Sequence, residues 1–270
     1  MKKNKSTVIL IIVFLAGLSL LLYPSLSDYW NSFHQTQAIA QYSENIAKLD
    51  EESYMSLWEE AENHNHKLVT KNNRFNLTTE EKEEYNSLLN AAGNGIMGYI
   101  EIPSIRCTLP IYHGVEETVL QIAIGHIEGT SLPVGGESTH CVISGHRGLP
   151  SAKLFTDLDQ VVVGDHFLLQ VLGETLTYEV DQILIVLPED LDALEIEEGK
   201  DYCTLITCTP YGVNSHRLLV RGHRIETVDD ASVRVMGDAR QIEPVMVAPL
   251  VAAPILIVLL IILLIKYRKK

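Results

Sequence analysis

The chain is 270 residues long, with 46% hydrophobic and 21% charged residues, and no Gly, Pro or Ser repeat dominates it. This composition excludes wholesale disorder and collagen, and it leaves enough apolar content for one large domain or two small ones. The formal net charge is −14. The chain therefore lacks the basic surface of a nucleic-acid-binding protein, and no nucleic-acid partner is expected.

The charge is distributed unevenly. Seven of the 21 basic residues lie at the two ends, which leaves 14 basic against 35 acidic residues between them, a net charge of −21. Each basic end adjoins an apolar run. Residues 8–22 are uncharged and follow three lysines, which indicates either a signal-peptide core or a membrane anchor. No clear small-x-small cleavage site follows directly, where the chain reads Tyr23-Pro24-Ser25-Leu26, so we interpret residues 1–26 as an uncleaved anchor.

The C-terminal run, residues 245–265, contains 21 uncharged residues. That length crosses a ~30 Å hydrocarbon core, so we predict a second transmembrane helix followed by a cytoplasmic basic tail, residues 266–270. The positive-inside rule then places both termini in the cytoplasm and the acidic middle outside the membrane.

The sequence pattern over residues 27–93 predicts helices. Apolar residues in 34–62 recur mostly at intervals of three and four, which is typical of an amphipathic helix. The polar stretch 63–77 predicts a loop. Thr78-Thr79-Glu80-Glu81 then resembles a capping box that opens a second helix toward Leu89.

From Gly95 the pattern changes to short apolar runs bounded by Gly and Pro. The candidate strands are MGYIEIP, TLPIY, HCVISGH, HFLLQVL, LTYEVDQILIVL, YCTLITC and RLLVRGHRI. Short strands without long intervening helices predict an all-β barrel or sandwich over residues 94–230, with a linker at 231–244.

The four cysteines do not predict a metal site, because no Cys-x-x-Cys or His–Cys spacing is present. Cys203 and Cys208 lie an odd number of residues apart on one predicted strand, so they point to opposite faces and should not pair. We predict mostly buried free thiols, with no metal and no cofactor.

Cys208 is the exception, because it ends a predicted strand. A second strand ends with His146 and Arg147 at its tip, and the strand after the cysteine begins at Arg217. A cysteine and a histidine on adjacent strand tips supply a nucleophile and a proton carrier. An arginine beside them favours the thiolate and binds an oxyanion.

Taken together, these motifs resemble the sortases, the membrane-anchored cysteine transpeptidases of Gram-positive bacteria. The family signature Thr-Leu-x-Thr-Cys stands at residues 204–208, and the histidine region stands at residues 144–148. The family arginine falls on Arg217, with Arg221 as its rival on the same strand face. His216 and His223 are weaker rivals to His146. The flanks NGIMGYIEIPSI, LPIYHG and CTPYGVNSHRLLVRGHR and the second span are similar to class C, the pilus-assembling group.

The resemblance implies a mainly β fold, a closed sortase-like β-barrel with N-terminal helices and loop insertions, flanked by two transmembrane helices. It implies that Cys208, His146 and Arg217 are catalytic and that Ser144, Leu205 and Thr207 contact the substrate. The partners implied are pilin subunits or surface proteins with a Leu-Pro-x-Thr-Gly-like sorting signal, together with the lipid bilayer.

Many class C sortases carry a lid anchored in the active site by an Asp-Pro-aromatic tripeptide. This chain contains no Asp-Pro pair, and Asn73-Arg74-Phe75 is the nearest substitute. Our hypothesis is a looser lid, with Arg74 and Phe75 as its anchor and Phe75 covering Cys208.

Three other functions compete with pilus assembly. A sortase that anchors surface proteins to peptidoglycan differs chemically in the acceptor amine alone. A hydrolytic cysteine protease would resolve the same thioester with water. A membrane-tethered binding module with a degenerate site is the non-enzymatic alternative, against which the intact cysteine, histidine and arginine argue.

Overall fold

The structure, a computed structural model, describes residues 2–227, residues 252–262 and residue 265. The chain divides into two compact units, one made of residues 1–31 and 229–270 and the other of residues 32–228. Helix α1 spans Lys2–Ile46. Its segment Val8–Ile46 is long and apolar enough to cross a membrane, which supports membrane anchoring at the N-terminus.

The predicted second span lies partly outside the described residues. Within the described part, Ala252–Ile262 forms an apolar helix that is shorter than a full span. The predicted linker, residues 231–244, also lies outside the described residues. The two-span topology therefore stays a prediction.

Two further helices precede the barrel. Helix α2 spans Glu51–Val69 and helix α3 spans Thr79–Ser87. The predicted single helix over 34–62 and the predicted loop over 63–77 are wrong in their boundaries. Asp50 caps a new helix by accepting a hydrogen bond from the Ser53 N–H. That helix continues to Val69 because its buried positions Ala61, Asn65 and Leu68 lie on one face. The capping box at Thr78 and Glu81 is confirmed.

The remaining elements form a closed barrel of eight strands, in the order β1-β2-β3-β4-β7-β8-β6-β5. Antiparallel pairing of β5 with β1 closes it, so the barrel prediction is confirmed over the sandwich alternative. Each of the seven predicted strands is present, and β3, with three residues, is the strand that the sequence pattern missed. The bounds are β1 Ile96–Ile102, β2 Cys107–His113, β3 Ile124–His126, β4 Thr139–Ser144, β5 His166–Val171, β6 Glu174–Val186, β7 Asp201–Thr209 and β8 His216–Ile225. A short helix α4, Glu117–Leu120, lies between β2 and β3.

Strand alternation divides the side chains of β7 between two faces. Cys203 and Leu205 are fully buried in the main core, which fills the barrel. Ile206 lies on the other face, in a small second cluster with Val142 of β4 and Leu219 of β8. Leu194, from the 3-10 turn Asp192–Leu194 in the β6–β7 connection, completes this cluster. The outer face of β4, β7 and β8 is thus the face on which Cys208 lies.

Candidate active site

Cys208 lies one residue before the end of β7, on the outer face of the barrel, and is partly exposed. Its position follows from alternation, because Cys208 is two residues beyond the outer-face residue Ile206. The other cysteines differ from it: Cys141 and Cys203 are buried free thiols. The Cys107 thiol donates to the Leu154 carbonyl (3.9 Å), and burial raises the pKa of Cys107 to about 12. Cys208 is therefore the cysteine best placed to act as a nucleophile.

His146 reaches the level of Cys208 through the parallel pairing of β4 with β7. Ser144 pairs with Ile206, and the Gly145 N–H then donates to the Ile206 carbonyl (3.0 Å), so the ladder continues past the end of β4. Parallel register advances residue for residue along both strands. His146 therefore stands beside Cys208.

The backbone around His146 is held on both sides. A Cβ on Gly145 would lie 2.7 Å from Ile124 Cγ2 and from Phe155 Cδ2, so only glycine fits between these side chains. The His146 carbonyl accepts a hydrogen bond from the Phe155 N–H (3.1 Å). The conformation of the Ser144–Gly148 segment is thus set by packing with other elements.

Arg217 lies on the other side of the cysteine. It pairs directly with Cys208 across the antiparallel β7–β8 ladder, so the two side chains share a face. Its Nη1 donates to the backbone carbonyls of Asn214 (3.3 Å) and His216 (3.1 Å). These bonds orient the guanidinium without neutralising its charge.

Arg221, the alternative to Arg217, is held by an ion pair and a ring contact away from Cys208. Arg221 Nε and Nη2 donate to the two carboxylate oxygens of Asp181 at 3.0 and 2.9 Å. Its guanidinium also stacks on the Tyr202 ring, 4.1 Å from the centroid. Arg221 pairs with Thr204, four residues back along β7 from Cys208, so it cannot replace Arg217 beside the cysteine.

The rival histidines are also displaced from the cysteine. His216 pairs with Thr209, so its side chain points to the face opposite Cys208. His223 pairs with Tyr202, at the far end of β7. The structure therefore brings His146, Cys208 and Arg217 into one row across three neighbouring strands, β4, β7 and β8.

This row has the three components of acyl transfer. A thiol provides the nucleophile, an imidazole carries a proton to the leaving group and back, and a guanidinium stabilises an oxyanion. Among the described residues, no group of three or more His, Cys, Asp and Glu side chains is arranged to hold a metal ion. The chemistry that this row supports is covalent catalysis.

Two further residues at His146 were not identified from the sequence as site residues with roles of their own. The carboxylate oxygen Oε2 of Glu117, on α4, lies 3.7 Å from His146 Nε2. Arg147 donates to Thr209 Oγ1 (3.3 Å), forms an ion pair with Asp159 and lies over the Tyr211 ring. Arg147 thus joins the histidine segment to the residues that follow Cys208. No local pattern marks Glu117. Arg147 stands in the predicted histidine region, but its contacts with Thr209, Asp159 and Tyr211 are distant in sequence.

The three predicted substrate-contact residues occupy different environments. Ser144 is partly exposed at the end of β4. Leu205 is fully buried in the barrel core. Thr207 is also buried, and its hydroxyl donates to the Gly145 carbonyl (2.8 Å). In this conformation Leu205 and Thr207 support the strand and the histidine segment, and their contact with a substrate stays a prediction.

The predicted lid, at about residues 64–79, comprises the end of α2, the connection at 70–78 and the first residue of α3. Arg74 is buried, and its Nη2 donates to the Leu194 carbonyl (2.8 Å) and to Glu195 Oε2 (3.3 Å). Its guanidinium lies over the Phe75 ring, 4.8 Å from the centroid. Since Leu194 belongs to the cluster covering the outer face, Arg74 ties the lid to the connection that lies over β4, β7 and β8. Coverage of Cys208 by Phe75 stays a hypothesis.

Comparison with known proteins agrees with this arrangement. The family model of the sortase domain matches residues 100–225. The curated sortase A of Streptococcus agalactiae serotype III (strain NEM316) is 31% identical over 117 residues, which cover 42% of this chain and 47% of that protein. The chain thus spans about half the length of this curated relative.

Solved structures match over a larger share of the chain. Sortase C1 from Streptococcus agalactiae is 52% identical, with a TM-score of 0.70, and the match covers 71% of this chain and 100% of that chain. Sortase C from Streptococcus pneumoniae is 43% identical, with a TM-score of 0.63, and the match covers 71% of this chain and 97% of that chain. The chain therefore belongs to the sortase family of cysteine transpeptidases, and within that family to class C.

Proposed function

We propose that this protein is a membrane-anchored transpeptidase that cleaves a Leu-Pro-x-Thr-Gly-like sorting signal between Thr and Gly and joins pilin subunits through a lysine isopeptide bond. The observation that carries the proposal is the row of His146, Cys208 and Arg217 on three neighbouring strands. Cys208 and Arg217 lie on β7 and β8, and His146 lies two residues past the end of β4, so the barrel positions all three groups.

In the first half-reaction, the Cys208 thiol gives its proton to His146, and its sulfur attacks the Thr carbonyl carbon of the sorting signal. Arg217 stabilises the negative oxygen of the tetrahedral intermediate. His146 donates a proton to the Gly nitrogen, the Thr–Gly bond breaks, and a Cys208 thioester remains. In the second half-reaction an amine attacks the thioester carbonyl, His146 accepts a proton, and Cys208 departs.

The acceptor in this proposal is a lysine side chain of a second pilin subunit. Support comes from the class C relatives, since a pilin substrate specificity is described for the sortase C of Streptococcus pneumoniae. Attachment of surface proteins to peptidoglycan is the second candidate, because the same thioester reacts with a different amine. Water as acceptor would make the protein a protease.

We further propose that the catalytic unit lies outside the membrane, between an N-terminal and a C-terminal span. The apolar segment of α1 supports the first span. The basic residues at both ends and the net charge of −21 between them support cytoplasmic termini.

The test uses the full chain in detergent, with and without Cys208→Ala. Each protein is incubated with a Leu-Pro-Glu-Thr-Gly peptide and a lysine-containing pilin fragment, and products are identified by mass spectrometry. A Cys208 acyl-enzyme with lysine-linked conjugates, both lost in Cys208→Ala, is the expected result. A thioester that yields only glycine-amine conjugates would instead favour wall anchoring. No thioester would refute the transpeptidase proposal.

A further inference from the structure

One ring nitrogen of the catalytic histidine, His146 Nε2, makes no hydrogen bond among the described residues. Within the described part of the chain, His146 Nε2 is buried and has no hydrogen-bond partner, and the Glu117 carboxylate lies 3.7 Å away. A polar atom buried without a partner is uncommon and calls for an explanation from function. The gap to Glu117 is longer than a hydrogen bond, so the pair is not a closed contact.

The Glu117 carboxylate is oriented by its own helix. Glu117 begins α4, and Gln121 Nε2 donates to its Oε1, which leaves Oε2 directed at His146. α4 precedes β3, which pairs with β4 through Gly125 and Ser144, so α4 lies near the tip of β4. The Glu117 side chain is 72% exposed. A molecule arriving from solvent therefore meets this carboxylate beside the histidine.

The other charged groups at this end of the site cannot bind a cation. Arg147 and Arg217 are positively charged, and the nearby carboxylate of Asp159 is already paired with Arg147. Among the described residues, Glu117 is thus the carboxylate that lies within 4 Å of His146 Nε2 and keeps an exposed surface.

The second half-reaction requires a negatively charged group that can bind a cationic acceptor beside His146. A lysine side chain has an ordinary pKa of about 10.4, so it arrives at neutral pH as an ammonium ion, which is not a nucleophile. We propose that Glu117 binds the acceptor ammonium next to His146 and so selects a charged primary amine for the second half-reaction. This inference rests on the transpeptidase function proposed above.

Two protons leave the acceptor nitrogen in this half-reaction. The bound ammonium loses one proton to the His146 imidazole and becomes a free amine. Its nitrogen attacks the thioester carbonyl, the C–N bond forms and the C–S bond breaks. The second proton leaves the nitrogen with the departing Cys208 sulfur, which becomes a thiol. His146 releases the first proton to solvent and is then neutral, ready to accept the Cys208 thiol proton in the next acylation.

Two acceptors with different charges test the proposal. The full chain in detergent is acylated with the Leu-Pro-Glu-Thr-Gly peptide and then given either Nα-acetyl-lysine amide or hydroxylamine, which is uncharged at neutral pH. Glu117→Gln should raise the KM for the lysine acceptor about fivefold, the scale of an exposed ion pair. Any loss of its rates of acylation and of reaction with hydroxylamine should be smaller than the loss with the lysine acceptor.

Glu116→Gln is the matched control, because it removes the same charge from the neighbouring exposed residue. It should leave both acceptors unaffected, and Glu117→Asp should restore part of the lysine KM. Equal losses with lysine and hydroxylamine in Glu117→Gln would overturn the proposal and assign Glu117 to positioning His146. An unchanged lysine KM would also overturn it. Absence of any acyl-enzyme in the unchanged protein would instead refute the transpeptidase function itself.

Discussion

Acidification below pH 6.5 should destabilise the fold, and the buried histidine His140 on β4 should contribute to this effect. Its imidazole is 1% exposed, its Nδ1–H donates to the Glu195 carbonyl (2.8 Å) and its Nε2 accepts from the Thr204 hydroxyl (2.7 Å). This pattern satisfies a neutral ring, with one donor and one acceptor. Burial lowers the pKa of His140 from 6.5 to about 4, against the opposing effect of the Glu195 hydrogen bond.

The sign follows from proton linkage. The pKa is lower in the folded state than in the unfolded chain, so the unfolded chain binds the proton first as the pH falls. The contribution of His140 to stability is complete above pH 6.5 and decreases between pH 6.5 and 4. With a folded-state pKa of about 4, His140 lowers the free energy of unfolding at pH 4 by about 3 kcal/mol relative to neutral pH.

Urea unfolding of the full chain in detergent, followed by near-UV circular dichroism from pH 7.5 to 4, measures this loss. His140→Gln should lose about 3 kcal/mol less over that range than the unchanged protein, because its amide does not titrate. His166→Gln, at a half-exposed histidine, is the control for the same substitution outside the core. Identical pH dependence in His140→Gln and the unchanged protein would refute the reasoning.

Three further outcomes are expected. Arg217→Lys should lower kcat for thioester formation by about 100-fold or more, because it removes an oxyanion donor. Arg221→Lys should leave kcat nearly unchanged. Equal effects of the two variants in a peptide-cleavage assay would contradict the assignment. Gly145→Ala should cost about 1–3 kcal/mol in urea unfolding and reduce activity, because the new Cβ would lie 2.7 Å from the Phe155 ring. Phe75→Ala should speed both peptide cleavage and alkylation of the catalytic thiol, mapped by mass spectrometry; unchanged rates would remove the lid hypothesis.

Local signals in the sequence predicted the elements that depend on near neighbours. The Thr78–Glu81 capping box was identified because both of its hydrogen bonds join residues three apart. The strands were found from alternation and turn residues, and β3 was missed because three residues are too few to show a period. The helix boundary at Asp50 was also missed, since apolar spacing continues across it.

The catalytic residues were predicted by resemblance to the sortases, and their arrangement required the structure. Nothing in the sequence pattern distinguishes Arg217 from Arg221 except distance from the turn, since both lie on one face of β8. The pairing of Arg217 with Cys208 and the ion pairs of Arg221 with Asp181 separate them. Side-chain contacts across strands decide this question, and they depend on register.

The sequence by itself determined which protein classes the composition excludes, the apolar N-terminal segment and most strands, and it predicted Cys208 as the candidate catalytic cysteine. Each of these rests on local pattern or on a short motif. Only the tertiary structure decided that the sheet closes through β5 and β1, that Arg74 binds the β6–β7 connection and that Glu117 faces His146. These contacts join residues far apart in the chain. Their energies depend on how the packed barrel brings the groups together, and that information is not contained in any short stretch of sequence.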